Sequence, residues 1–262
     1  MDESAIHTVA LVVPCFNEAG RLRPDAFEQA LARSPRLRLL FVDDGSTDAT
    51  VERIASLANT RPDRVEILRL DANGGKGPAV RAGVLGALAR GCDVVGFWDA
   101  DLSTPLEEME RMLDVLEGSP GLLAVFGSRV RLLGRDVRRS TLRHYVGRVF
   151  ATAVSSLLDV AIYDSQCGAK IFRSDRRTIE LFETPFRARW IFDVEIVARL
   201  AEVARNVEST VEDLVHEHPV RTWHAAPGSK LRPADYLSAV RDLAVIGWGH
   251  WWAARGRHIV KS

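Results

Sequence analysis

Residues Val94–Ser103 read VVGFWDADLS. Val94–Trp98 is apolar or small throughout, with no polar alternation, the pattern of a strand buried on both faces of a parallel sheet. The run ends in two carboxylates one residue apart, Asp99 and Asp101. Alternate side chains of an extended segment point the same way, so the two acids converge on one small region. Like charges at that spacing repel and raise a pKa unless a cation joins them. A hard divalent ion, Mg²⁺ or Mn²⁺, suits one or two carboxylates plus the phosphates of a ligand. On this spacing alone, a strand-end turn in which Asp101 caps the next helix explains the acids equally well.

Moving outward, the first half alternates. Buried strands are expected at Thr8–Phe16 (TVALVVPCF), Leu37–Asp44, Arg64–Leu70, Asp93–Asp99 and Leu122–Ser128. Helices are expected at Pro24–Arg33, Thr47–Asn59 with Ser46 or Thr47 as its cap, Gly77–Gly91 with a left-handed end at Gly91, and Pro105–Gly118 with Pro105 in its first position. Strands alternating with helices imply βαβ units and a mostly parallel sheet. After Arg129 the pattern changes. A basic, turn-prone stretch precedes a helix at His144–Val160, a turn and short strand in DSQCGAKIF (Asp164–Phe172), and a helix from Phe192. An extended segment follows from Ser209, and a last helix carries Trp248, Trp251 and Trp252.

The 262 residues are 47% hydrophobic and 27% charged, with 35 basic and 35 acidic side chains. That balance gives no reason to expect a nucleic-acid partner. Three distant cysteines, odd in number, argue against a disulfide framework or a structural zinc site and suit a reducing compartment. No signal peptide is visible, and no window approaches 18 consecutive apolar residues. The expected location is therefore cytoplasmic, with peripheral contact at the cytoplasmic membrane face.

In open α/β sheets, ligands bind beyond the carboxyl ends of the strands. Five such ends carry polar or Gly-rich segments here: Pro14, Asn17 and Glu18; Asp43–Ser46; Asn73–Lys76; Asp99 and Asp101; Ser128 and Arg129. Lys76 in NGGKG could meet phosphate charge, although the spacing is not that of a P-loop, and no G-x-G-x-x-G follows the first strand. Asp44 could accept from the N–H groups of a nucleobase.

In order and spacing, VVPCFNE, FVDDGSTD, NGGKG, DADLS and FGSR resemble the inverting family-two glycosyltransferases of GT-A fold. DSQCGAKIF, RWIFDVEI and VRTWHAAPGSK narrow the resemblance to the branch making polyprenyl-phosphate sugars, that of dolichyl-phosphate β-glucosyltransferases and mannose synthases. It implies an α/β GT-A fold in one domain over 1–262. About 8–130 would bind the nucleotide sugar, and about 131–262 the acceptor, ending in a C-terminal amphipathic helix. It implies that Pro14, Asn17, Glu18, Asp44, Lys76 and Asp99 hold the donor, with Asp101 and Asp99 on Mg²⁺ or Mn²⁺. Arg129, Asp164 and Asp193 would be catalytic. Arg138, Arg139, Arg143, Gln166, Glu195 and Lys230 would meet the acceptor. UDP-glucose is the favoured donor, GDP-mannose the alternative; the acceptor is polyprenyl phosphate or a small molecule.

A phosphate monoester is already a nucleophilic dianion near neutral pH, so that acceptor needs little base catalysis. An alcohol would need a base, for which Asp193 or Asp164 is the candidate. Asp193 could instead cap its helix, and Glu195 could pair with Arg189 or Arg199. A nucleotidyltransferase is the rival enzyme class, but PCFNEAGRLRP lacks the Gly-rich, basic segment it wants after the first strand. A non-catalytic sugar-nucleotide module is the rival outside the enzymes.

Overall fold

The computed structural model describes residues 6–138, 141–225 and 238–248. A seven-stranded sheet has the order β3-β2-β1-β4-β7-β5-β8. Its strands are β1 (Val9–Cys15), β2 (Leu37–Asp43), β3 (Val65–Arg69), β4 (Val94–Trp98), β5 (Ala124–Ser128), β7 (Ala169–Arg173) and β8 (Val215–Pro219). Two short strands, β6 (Asp136–Arg138) and β9 (Thr222–His224), pair separately.

The apolar runs become strands because both faces are covered. Along β1, Leu11 and Val13 point to one layer, with Phe27, Leu31, Phe41, Ile54 and Met112. Val12 points to the other, with Val42, Val80, Phe97, Phe172 and Phe192. The helices are α1 (Pro24–Arg33), α2 (Thr50–Thr60), α3 (Lys76–Ala89), α4 (Glu107–Glu117), α5 (Thr141–Leu158), α6 (Arg176–Phe182), α7 (Phe192–Asn206) and α8 (Val211–Leu214). A further helical stretch covers 238–248. None of the described helices is long and apolar enough to cross a membrane. Trp251 and Trp252 lie outside the described residues.

The expected alternation holds through β5, and Gly91 closes α3 at φ +78°. Two expected helix starts are corrected. α2 begins at Thr50 behind Ala49, with no side-chain cap. The Ser46 hydroxyl accepts the Asn17 N–H at 3.0 Å, while Asp48 takes the Thr50 N–H at 3.0 Å. The neighbouring strand-end loop has claimed the expected cap. α4 begins at Glu107, two residues after Pro105, whose carbonyl closes a turn onto the Glu108 N–H at 3.1 Å. α6, α8 and the β6–β9 pair had no counterpart in the sequence reading.

The decisive feature is β7. It runs antiparallel to both β4 and β5, inside an otherwise parallel sheet. The carboxyl ends of β1, β2, β4 and β5 share one edge. Being reversed, β7 brings its beginning, and the loop 164–168 before it, to that same edge. A parallel β7 would have sent the loop to the opposite side of the sheet.

Candidate active site

Asp99 and Asp101 leave β4 at this edge. The Asp99 N–H donates to the Gly168 carbonyl at 3.0 Å, and its carboxylate occupies the space a Gly168 side chain would fill. A Cβ at Gly168 would fall 1.9 Å from Asp99 Oδ2. No residue but glycine allows that approach. On the other side, Lys76 Nζ meets Asp99 Oδ1 at 2.5 Å. Lys76 is the first residue of α3, and its ammonium stands 5.8 Å from the centre of the Phe192 ring. Burial opposes the lysine's charge, but the nearby carboxylates, Asp99 foremost and then Asp193, hold its pKa above the ordinary value.

Asp101 differs. Burial and then the charge of Asp99 push its carboxyl above the usual carboxylate range, against the Ser103 N–H, which it accepts at 3.0 Å. Arg21 is the nearest cation, 3.9 Å from Asp101 Oδ2. That guanidinium is anchored elsewhere, donating to both oxygens of Glu18 at 2.8 and 2.5 Å. Among the described residues, no third Asp, Glu, His or Cys joins the two acids in a closed metal-binding set.

The residues expected around the donor do collect here, several of them holding loops. Asp44 is buried; its oxygens accept the N–H groups of Gly74 and Gly75, each at 2.8 Å, and the Asn73 amide at 3.0 Å. Asn17, at φ +52°, accepts the Thr47 N–H at 2.8 Å. The Glu18 N–H donates to the Thr50 hydroxyl at 2.8 Å. Pro14 lies within β1, opposite Val42. These bonds bind the β1, β2 and β3 ends into one rim.

At the end of β5, Arg129 grips Asp164 through Nε at 2.6 Å and Nη2 at 2.7 Å, and its backbone N–H adds a third bond at 2.9 Å. Burial opposes the arginine's charge, yet Asp164 outweighs it and keeps Arg129 firmly protonated. Asp164 in turn hangs from Glu217, which accepts the Tyr163 and Asp164 N–H groups at 2.6 and 2.8 Å. Gln166 is adjacent; its buried Nε2 has no partner among the described residues.

Asp193 and Glu195 lie in the first turn of α7, where the helix dipole favours acids. Asp193 is bound by the fully buried Lys170, whose Nζ donates to Asp193 Oδ1 and to the Cys167 carbonyl, each at 2.6 Å. The ammonium lies 5.2 Å from the centres of both the Phe97 and Phe126 rings. Glu195 accepts the Arg187 and Ala188 N–H groups at 2.8 and 3.0 Å and Arg199 at 2.8 Å, so it staples the loop before α7. Arg138 is exposed on β6 and paired with Asp136 at 2.8 Å. Arg143 falls in the first turn of α5, and Arg139 and Lys230 lie outside the described residues.

Residues 10–177 match glycosyl transferase family 2. The chain belongs to that family. It is a glycosyltransferase. The family-two chain is 31% identical over 260 residues to the dolichyl-phosphate beta-glucosyltransferase of Dictyostelium discoideum, covering 91% of this chain and 73% of that one. It is 34% identical over 166 residues to the polyprenol monophosphomannose synthase of Mycolicibacterium smegmatis, covering 63% of this chain and 61% of that one. Among solved structures it resembles glucosyl-3-phosphoglycerate synthase of Mycobacterium tuberculosis, crystallised with Mn²⁺, uridine diphosphate and glucosyl-3-phosphoglycerate. That likeness has a TM-score of 0.65 at 18% identity, covers 93% of this chain and 80% of the other, and establishes the GT-A-type α/β fold.

Three site residues escaped sequence reasoning: Lys170, Gly168 and Arg21. A lysine inside the apolar strand AKIF was a signal, since a buried ammonium requires a partner. The fit of Gly168 under Asp99 carried no signal, because β7's direction creates it.

Proposed function

We propose that this glycosyltransferase moves glucose from UDP-glucose to a polyprenyl phosphate, with inversion at the anomeric carbon and with Mg²⁺ or Mn²⁺. The named relatives support the substrate classes, and GDP-mannose is the alternative donor. The two halves divide the work: about 8–130 holds the donor and about 131–262 the acceptor.

One observation carries the choice of acceptor. Both candidate bases are held in ion pairs, Asp164 by Arg129 and Asp193 by Lys170. Each carboxylate already accepts from a cation of the protein, so neither stands free to receive a substrate hydroxyl. An alcohol would need a free base; a phosphate monoester, with its second pKa near 6, does not. The protein's task is then placement and charge.

Asp99 and Asp101 fit a divalent ion, because two carboxylates without a third ligand leave coordination for water and diphosphate. Such an ion, when bound, offsets the charge developing on the leaving diphosphate. Lys76 supplies a second cation for that charge. Asp44 fixes the Gly74–Gly75 backbone beside it. Arg129, kept charged by Asp164, orients the acceptor phosphate from the opposite side.

The exposed apolar residues of α5 (Tyr145, Val146, Val149, Leu157) and of the helical stretch 238–248 (Val240, Val245, Trp248) support peripheral contact with the cytoplasmic face of a membrane. The test is UDP release from UDP-glucose with Mn²⁺ or Mg²⁺, with a short-chain polyprenyl phosphate, with the matching polyprenol, and with neither. A rate that requires the phosphate and disappears on chelation or in Asp101→Ala is the expected result. An equal rate with polyprenol, or a soluble hydroxyl acceptor working without lipid, would overturn the reading.

A further inference from the structure

Asp99 is held on two sides that differ in freedom. Its backbone is tied to the Gly168 carbonyl, and its carboxylate occupies the space a Gly168 side chain would fill, so it cannot withdraw toward the loop. Its other contact is Lys76 Nζ at 2.5 Å, carried on a flexible four-carbon stem that is 37% exposed. Asp101 has no comparable partner: Arg21 stands 3.9 Å away, anchored to Glu18. A divalent ion seated on both acids must share Asp99 with the ammonium. Asp99 Oδ2 faces Gly168, which leaves Oδ1, the oxygen the ammonium already holds, for the ion; two cations there repel, and the lysine is the one carried on a movable stem.

We propose that Lys76 competes with the divalent ion for Asp99 and is drawn off that carboxylate by the oxygens of the arriving nucleoside diphosphate. This deepens the donor-site reading above and rests on it. An ion arriving alone displaces Lys76 from its carboxylate and offers it nothing in exchange. An ion arriving with a diphosphate brings anionic oxygens to which the ammonium can turn. Lys76 begins α3 beside the Gly74–Gly75 backbone, so a change of side-chain rotamer makes the transfer. Coupling of this kind is reciprocal: the nucleotide tightens the ion as much as the ion tightens the nucleotide.

The test is binding, with Mn²⁺ and UDP as probes. Free Mn²⁺ is followed by its paramagnetic resonance signal over the full chain, alone and with saturating UDP, for wild type, Lys76→Met and Lys76→Arg. Wild type should bind Mn²⁺ at least tenfold more tightly when UDP is present. Lys76→Met should bind Mn²⁺ alone at least fivefold more tightly than wild type, while its gain from UDP shrinks. Lys76→Arg keeps a cation and should follow wild type. A general loss of structure cannot tighten one ligand while weakening its coupling to the other. Lys76→Met binding Mn²⁺ no better than wild type would overturn the proposal and leave the donor site standing. Should Lys76→Met fail to fold, Lys76→Gln replaces it, and tighter Mn²⁺ binding in the absence of UDP supports the proposal while unchanged binding overturns it. Wild type that binds no Mn²⁺ even with UDP would overturn the donor-site reading itself.

Discussion

Lys170→Met breaks the most deeply buried ion pair among the described residues. Methionine preserves the stem between Phe97 and Phe126 but removes the ammonium, so Asp193 loses its cation and the Cys167 carbonyl its donor. The two side chains are 0% and 5% exposed, so water cannot replace the lost partner. Leaving one charge of such a pair buried costs about 3–5 kcal/mol. For a chain of this size that lowers Tm by roughly 6–20 °C, at about 2–4 °C per kcal/mol. Lys170→Met/Asp193→Leu removes both charges and should recover to within about 1–2 kcal/mol of wild type, since apolar replacement of a whole buried pair is often near neutral. Thermal and denaturant unfolding of wild type, Lys170→Met, Asp193→Leu and the double variant close the cycle, with a coupling energy of about 2 kcal/mol or more expected. Additive losses would refute the pairing. Turnover of the double variant adds a second reading: with a phosphate acceptor it should fall by much less than the roughly 10²–10⁴ that a general base supplies.

Gly168→Ala places a methyl 1.9 Å from Asp99 Oδ2 and must turn that carboxylate off its site. Overpacking costs about 1–3 kcal/mol, and metal-dependent UDP release should fall by about 100-fold or more; an alanine enzyme of full activity would show that Asp99 needs no fixed orientation. Glu108 is buried, and although burial alone would raise its pKa, His218, the Arg221 N–H and Arg111 together hold it below the ordinary glutamate value of 4.5. A carboxyl depressed on folding stabilises above its unfolded pKa and loses that contribution as pH falls through the folded one. The Tm difference between wild type and Glu108→Gln should therefore be full near neutrality and shrink below about pH 4.5; a difference that grows in acid would contradict it.

Much of this was legible before any coordinates. Periodicity located β1 to β5 because each strand is buried on both faces and so reads as an unbroken apolar run. The polar strand ends announced a crevice because helices cover the sheet faces and leave that edge open to ligands. Boundaries were less legible where tertiary bonds intervened, as when Asn17 took the Ser46 hydroxyl and left α2 to start uncapped at Thr50. Site residues were legible as chemistry but not as partners. Asp44, Glu195 and Asp193 could each be read as ligand contacts, yet each spends its carboxylate on a loop backbone or a buried cation.

The sequence by itself determined the alternating α/β half, the strand-end acids, the Gly-rich loop with Lys76, and the family, because all of these depend on local order along the chain. Only the tertiary structure decided that β7 runs backwards between β4 and β5. That reversal sets Gly168 beneath Asp99 and Lys170 opposite Asp193, across 69 and 23 residues of chain respectively. Strand direction follows from how the whole chain closes its sheet, and no local pattern of apolar residues encodes it, since a buried strand reads the same whichever way it runs.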